Sequence, residues 1–132
     1  MTIKLSSNAK VNLALSINHK RADGYHDISS IMQEIDLYDV IEVSKNDSDK
    51  INIISKGIKV PEDDSNLCYI ATKIFFENYN VFHGIDITID KKIPIGAGLG
   101  GGSSNAATTI STSALSLNAR VAVCKECSNL ET

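Results

Sequence analysis

The sequence is poor in features that would assign it to several broad classes. It has 13 lysines and arginines against 16 aspartates and glutamates, a net charge of −3, so no basic excess is available to hold a nucleic acid by its backbone. No segment reaches the roughly eighteen consecutive apolar residues of a membrane-spanning helix, and residues 1–6 are too polar for a secretory signal. We therefore expect a cytoplasmic protein that binds neither nucleic acid nor membrane.

Cysteine and aromatic residues are also scarce: the chain has three cysteines, no tryptophan and 5% aromatic residues. Cys68 falls in a predicted helix and is expected to be a small buried apolar side chain. Cys124 and Cys127 form one C-x-x-C pair, which without a second pair or a histidine predicts free thiols rather than a zinc site. Hydrophobic residues make up 42% of the 132, a composition typical of one modest globular domain.

Strands are predicted first along the chain. Residues 10–17 alternate, which predicts a strand with Lys10 and Asn12 together on one face and a buried apolar face formed by Val11, Leu13, Leu15 and Ile17. Residues 20–27 are predicted to form a loop. Residues 28–44 follow as one strand, or as two that break at Tyr38–Asp39, and shorter strands are predicted at 50–55 and 84–93.

Two segments have helical periodicity. The first begins near Leu67, with Asp63, Asp64 or Ser65 as its cap, and ends near 78–80. The second runs from Ser103 or Ser104 to about Leu117, and its many serines and threonines are poor helix formers, so packing must hold it. This order predicts an α+β domain over residues 1–117, an antiparallel-rich sheet with helices on one face. Residues 118–132 fit no element and are expected to form a divergent tail.

Residues 94–104, the glycine loop, contain five glycines and two serines between a strand and a helix. Glycine lets backbone N–H groups approach an anion closely, and a helix start adds unpaired donors. No lysine follows in the position that the Walker loop requires. Gly96, Gly98 and Gly101 match a dinucleotide fingerprint, but the acidic residue expected about twenty positions later is missing. A tight glycine turn without a ligand is the remaining alternative.

Three segments together resemble the GHMP kinase superfamily. They are Ala9-Lys10-Val11-Asn12-Leu13, Arg21-Ala22-Asp23-Gly24-Tyr25-His26, and the loop from Pro94 through Gly98-Leu99-Gly100-Gly101-Gly102-Ser103-Ser104 to Ala107. They are most similar to the branch that transfers a phosphoryl group from ATP to the methylerythritol part of a cytidine diphosphate conjugate, in the non-mevalonate route to isoprenoid precursors. The resemblance implies the N-terminal domain of that superfamily, a fold like the second domain of ribosomal protein S5.

The resemblance also implies a role for each matching residue. Lys10 would be the catalytic lysine beside the acceptor hydroxyl, and Asn12, Tyr25 and His26 would contact the substrate, the last two at the cytidine. Mg²⁺ would arrive with ATP, and Ser103 or Ser104 could add a hydroxyl to it. The residues that would bind ATP are Asn66, Lys91, Pro94, Ile95, Gly96, Ala97, Gly98, Leu99, Gly100, Gly101, Gly102, Ser103 and Ser104.

The sequence departs from the superfamily after the glycine loop. No aspartate occurs after Asp90, so the catalytic aspartate of the superfamily has no counterpart here. The resemblance also implies a second domain, and no segment of these 132 residues matches it. We therefore expect a C-terminally truncated kinase domain with little or no activity of its own. A nucleotide-binding remnant and a kinase of another small alcohol remain as alternatives.

Overall fold

The structure is a computed structural model that describes residues 1–81 and 83–116. Four strands and two helices follow one another within these residues. In chain order they are β1 (Thr2–Lys20), β2 (His26–Lys45), β3 (Ile51–Gly57), α1 (Leu67–Tyr79), β4 (Ile85–Lys91) and α2 (Gly101–Ser116). The predicted tail and Cys124–Cys127 lie outside the described residues.

The four strands form one mixed sheet in the order β1-β2-β4-β3. β2 pairs antiparallel with both β1 and β4, while β3 and β4 are parallel, joined by the crossover through α1. The region predicted at 28–44 is one strand whose register shifts between Glu34 and Tyr38, close to the predicted break. The predicted antiparallel-rich α+β sheet is confirmed.

The hydrophobic core lies between one sheet face and the two helices. Alternate residues of the central strands point inward, so Ile41, Val43, Ile87 and Ile89 are buried against Phe75 and the neighbouring helical side chains. Helix α2 packs on β1 and β2, and α1 packs on α2 and β3. In the part of the chain described here, the two helices are too short and too polar to cross a bilayer.

The predicted burial of the apolar face of β1 is wrong. Leu13 is 64% exposed, Leu15 55% and Ile17 67%. Residues 10–20 of β1 pair only with residues 26–34 of β2. These two strand segments and the turn between them, residues 10–34, are called the ribbon, and they project beyond the part of the sheet that the helices cover. Alternation correctly predicts a strand here, but burial requires a covering element, and none of those described lies over the ribbon.

A β-bulge also changes which side chains share a face of the ribbon. Asn12 pairs with Met32 but Ala14 pairs with Ile31, so Leu13 is an extra residue in β1. Directly opposed residues share a face, and an extra residue inverts the alternation. Lys10 and Asn12 do share a face as predicted, but it is the face of Leu15 and Ile17 and of the facing β2 residues Ile28, Ser30 and Met32.

Helix α1 begins at Leu67 as predicted, but its cap differs from the prediction, and α2 begins earlier than predicted. Asn66, not Asp63, Asp64 or Ser65, is the N-cap of α1, since its Oδ1 accepts from the Cys68 backbone N–H at 2.8 Å. Helix α2 begins at Gly101, so Ser103 and Ser104 lie inside its first turn. The end of α1 at Tyr79, with Asn80 in the left-handed conformation, agrees with the prediction. The predicted end of α2 at Leu117 lies outside the described residues.

Candidate functional site

The backbone of the glycine loop alternates between two conformations. Gly96, Gly98 and Gly100 have φ of 72°, 73° and 71°, whereas the residues between them do not have positive φ. Alternation of left-handed and ordinary residues turns successive N–H groups toward one side, which makes an anion-binding concavity. The loop leads directly into the N-terminus of α2, where further N–H donors are unpaired. The loop is therefore shaped for a phosphate.

A cleft of about 400 Å³ lies over the loop, a size typical of small-molecule sites. Its lining includes every residue from Pro94 to Ser103, together with Asn66 and Lys91. The structure thus brings together all the residues that the resemblance assigns to ATP except Ser104. That serine faces β1, where its Oγ accepts from the Ser7 hydroxyl at 2.9 Å.

Sequence reasoning missed several residues of the cleft wall. Val60 and Pro61, which precede α1, form part of this wall with Cys68. The backbone N–H of Val60 donates to Ser55 Oγ at 3.1 Å, so this stretch is attached to the edge strand β3. The residues carry no sequence pattern of a ligand site, and only the fold brings them to the loop. Burial raises the pKa of the Cys68 thiol, which keeps it protonated and unreactive.

Asn66 is committed to local structure in the cleft. It caps α1 with its Oδ1, and its Nδ2 donates to the Pro61 carbonyl at 2.7 Å. The residue is buried. It lies in the lining of the cleft, as expected of a residue predicted to bind ATP, and its two hydrogen bonds fix the wall formed by Pro61.

Lys10 attaches β1 to the loop. Its backbone N–H donates to the Leu99 carbonyl at 2.9 Å and its Nζ to the Gly98 carbonyl at 3.0 Å. Its methylene groups cover Gly100, where an added Cβ would lie 3.1 Å from Lys10 Cε. A lysine ammonium at the rim of an anion-binding loop attracts phosphate and can stabilise charge that develops on a transferred phosphoryl group.

Beneath the loop lies a cluster of side chains, the buried polar cluster, formed by Ser7, Asp39, Lys91, Ser104 and Asn105. The Lys91 ammonium donates to Asp39 Oδ2 at 2.5 Å, and both residues are at least 96% buried, with 4% and 0% of their side-chain surface exposed. Asn105 Nδ2 donates to the same oxygen at 2.8 Å and to Ser7 Oγ at 2.9 Å. The charge of Lys91 is thus balanced inside the protein, so Lys10 supplies positive charge at the surface of the loop.

Desolvation is the largest influence on the pKa of Asp39 and acts to raise it, but hydrogen bonds outweigh it. The backbone N–H of Ile93, the Lys91 ammonium, the backbone N–H of Lys92 and the Asn105 amide all donate to the carboxylate. Together they hold the pKa of Asp39 below its ordinary value. The carboxylate is therefore charged throughout the neutral range.

The predicted substrate residues lie along the ribbon, outside the lining of the cleft. Asn12 Oδ1 accepts from the Ser30 hydroxyl at 3.4 Å on the face that also holds Lys10. Tyr25 and His26 lie at the hairpin turn, where Tyr25 is 75% exposed. The backbone N–H of Tyr25 donates to Asp23 Oδ1 at 3.1 Å, which holds the turn in shape. The structure thus places the predicted substrate residues on one strand pair that starts at the loop.

The surroundings of the loop offer little to a magnesium ion. Mg²⁺ prefers carboxylate and water oxygens, and the lining of the cleft contains no aspartate or glutamate. In residues 1–81 and 83–116, no three His, Cys, Asp or Glu side chains are grouped as metal ligands. Of the two serines predicted to contact Mg²⁺, Ser103 lines the cleft. One hydroxyl without a carboxylate does not make a magnesium site, so the described residues do not form one by themselves.

The sequence matches known proteins in agreement with this geometry. Residues 66–131 match the family model described as the GHMP kinases N terminal domain. The chain is 50% identical over 105 residues to 4-diphosphocytidyl-2-C-methyl-D-erythritol kinase of Clostridium beijerinckii, covering 80% of this chain and 37% of that one. It is 44% identical over 108 residues to the enzyme of the same name from Clostridioides difficile, covering 82% and 36%.

Two solved structures show the similarity of fold. A crystal structure of 4-(cytidine 5'-diphospho)-2C-methyl-D-erythritol kinase superposes with a TM-score of 0.75 at 32% identity, covering 98% of this chain and 46% of that one. Homoserine kinase from Cytophaga hutchinsonii has a TM-score of 0.69 at 20% identity, covering 91% and 36%, a likeness of fold alone.

The chain spans a little over a third of the length of the curated relatives that it matches. The family model nevertheless covers half of the chain and includes the whole glycine loop, α1, β4 and α2. The chain belongs to the GHMP kinase family, of which it carries the N-terminal domain.

Proposed function

We propose that this domain binds ATP in the cleft over the glycine loop, as the N-terminal part of a kinase that phosphorylates 4-diphosphocytidyl-2-C-methyl-D-erythritol. The observation that carries the proposal is the loop itself. Three left-handed glycines alternate with ordinary residues, at the start of a helix and beside a lysine. Such a backbone binds phosphate oxygens through N–H donors, and the relatives named above are kinases of this substrate.

The acceptor is proposed to lie along the ribbon. The face that starts at Lys10 and Asn12 continues to exposed apolar side chains and ends near the turn with Tyr25 and His26. A cytidine conjugate has a polar base, a diphosphate and a branched alcohol, and this face offers an aromatic ring, a lysine and apolar contacts. The reacting hydroxyl would then lie beside Lys10 and the γ-phosphate.

The transfer itself forms a bond between the acceptor oxygen and the γ-phosphorus and breaks the bond to the bridging oxygen of ADP. The ammonium of Lys10 would stabilise the charge that develops on the phosphoryl oxygens. The acceptor hydroxyl also loses a proton, and a base must take it up. No carboxylate of the described residues lines the cleft, so we infer that the N-terminal domain binds ATP but lacks part of the catalytic machinery.

A nucleotide-binding domain without turnover is therefore the second candidate function, and one pair of experiments separates the two. Calorimetric titration with MgATP tests binding, and we expect one site per chain. A coupled ADP-release assay with the cytidine conjugate tests turnover, and we expect little or none from the 132 residues. Turnover that is abolished in Lys10→Ala would instead show that the domain is a complete catalyst.

A kinase of another small alcohol is a third candidate, because homoserine and mevalonate kinases have the same fold. Tyr25 and His26, the predicted substrate residues at the ribbon turn, favour the cytidine conjugate. Adding cytidine conjugate, homoserine or mevalonate to the MgATP-loaded domain distinguishes these acceptors by their binding. The use of ATP agrees with the cytoplasmic location that we propose for the chain.

A further inference from the structure

The carboxylate of Asp39 contacts both ends of the glycine loop. Its Oδ1 accepts from the backbone N–H groups of Lys92 and Ile93, at 2.6 Å and 2.8 Å, immediately before the loop. Its Oδ2 accepts from Asn105 Nδ2 at 2.8 Å, in the first turns of α2 immediately after the loop. The loop between these points is mostly exposed and contains the three left-handed glycines.

The same carboxylate, itself part of β2, also connects the loop to β4 and β1. Asp39 belongs to β2, and the Lys91 ammonium at the end of β4 donates to its Oδ2. Asn105, held by that oxygen, also donates to Ser7 of β1, the strand that carries Lys10. Four elements therefore meet at one buried charge.

We propose that Asp39 is a positioning residue for the glycine loop, because its carboxylate holds the start and the end of the loop at a fixed separation. A glycine-rich segment loses much conformational entropy when it orders around a ligand. Fixing both of its ends in advance reduces that loss and improves binding by pre-organisation. The inference rests on the proposed function only for its effect on ATP. The effect on the loop backbone stands by itself.

The hydrogen bond at the end of the loop can be removed while both partners of the Lys91–Asp39 ion pair are kept. Asn105→Ala deletes the donor from α2, and Asn105→Ser is a second variant whose short side chain fills part of the space but cannot reach Oδ2. Thr109→Val is the matched control, since Thr109 is buried one turn further along α2 and donates to the Asn105 carbonyl at 2.7 Å. It loses a buried hydrogen bond of the same helix without touching the carboxylate.

Amide hydrogen exchange at the two ends of the loop is measured against that of β2 and β4. The amides at these ends are those of Lys92, Ile93 and Ser104, whose N–H groups are hydrogen-bonded. We expect both Asn105 variants to speed exchange in the loop at least about tenfold relative to the sheet, because hydrogen bonds to charged groups are among the stronger ones. Thr109→Val is expected to change loop and sheet in the same proportion. Loop exchange that stays at the wild-type rate, or that rises only in step with the sheet, would overturn the positioning role.

Calorimetry with MgATP gives the second readout. The dissociation constant is expected to rise at least about fivefold for Asn105→Ala relative to Thr109→Val, and equal constants would contradict pre-organisation. If the wild-type chain does not bind MgATP, the proposed function fails, while the exchange pattern still decides whether Asp39 positions the loop.

Discussion

At the scale of single residues, two adjacent glycines at the start of α2 have opposite surroundings. An added Cβ at Gly101 would lie 2.8 Å from Ile93 Cγ2 and 2.9 Å from Lys91 Nζ. That ammonium is held by Asp39 and cannot move away at low cost. An added Cβ at Gly102 would meet only Leu67 Cδ1, at 3.2 Å, on a side chain that is about half exposed.

We therefore expect Gly101→Ala to destabilise the domain by about 1–3 kcal/mol, the usual cost of overpacking. Gly102→Ala is expected to be neutral or to stabilise it by up to ~1 kcal/mol, because alanine is the better helix former. Urea unfolding followed by circular dichroism measures both. Equal midpoints for the two variants would show that the start of α2 is not packed as described.

At the scale of elements, the alternation of residues predicts strands well but not what covers them. The pattern at 10–17 is that of a half-buried strand, yet the ribbon is exposed on both sides because α1 and α2 lie elsewhere on the sheet. The bulge at Leu13 is equally invisible in the sequence, since it depends on the pairing with β2. It is this bulge that brings Lys10 and Asn12 to the same face as Leu15 and Ile17.

One part of the candidate site could likewise be predicted from the sequence, and another part could not. The glycine loop and its lysine could be predicted because their chemistry depends on a local run of residues and on a resemblance in motif. The buried polar cluster could not, because Ser7, Asp39, Lys91 and Asn105 are far apart in the sequence and meet only through the sheet. Asp39 in particular appears in the sequence as part of a possible strand break, whereas the structure places it in the middle of β2.

At the scale of the whole molecule, the buried charge of Asp39 links stability to pH. Its pKa is lowered in the folded protein from an ordinary value of 3.8. A carboxylate with a depressed folded pKa contributes stability that is fully present above its unfolded pKa and is lost as the pH falls through the folded pKa. The contribution of Asp39 is thus complete at neutral pH and decreases only below about pH 4.

We expect the free energy of unfolding of the wild-type chain, measured with urea from pH 3 to pH 7, to decrease below that point. The decrease is expected to be smaller in Asp39→Asn, which is also less stable at pH 7 because Lys91 is left buried without its partner. Asp63→Asn is the control, since the pKa of the exposed Asp63 is also lowered, by its hydrogen bonds with Ser65. An acid profile that is unchanged in Asp39→Asn would exclude Asp39 as its source.

We propose above all that the glycine loop of this chain binds ATP. Two matched glycine variants allow the most direct test of this proposal. Gly98 and Gly24 both have positive φ, and an added Cβ at either meets nothing within 4 Å. Alanine therefore introduces the same kind of backbone strain, about 1–2 kcal/mol, in the loop in one case and in the ribbon turn in the other.

The measurement is a titration of the ¹⁵N-labelled chain with MgATP, followed by amide chemical shifts. We predict saturable shifts concentrated at residues 95–104 and around Asn66, with a dissociation constant raised at least about fivefold, or ~1 kcal/mol, in Gly98→Ala and unchanged in Gly24→Ala. Shifts that do not saturate, that centre elsewhere in the described chain, or that are equally weakened in both variants would contradict the claim.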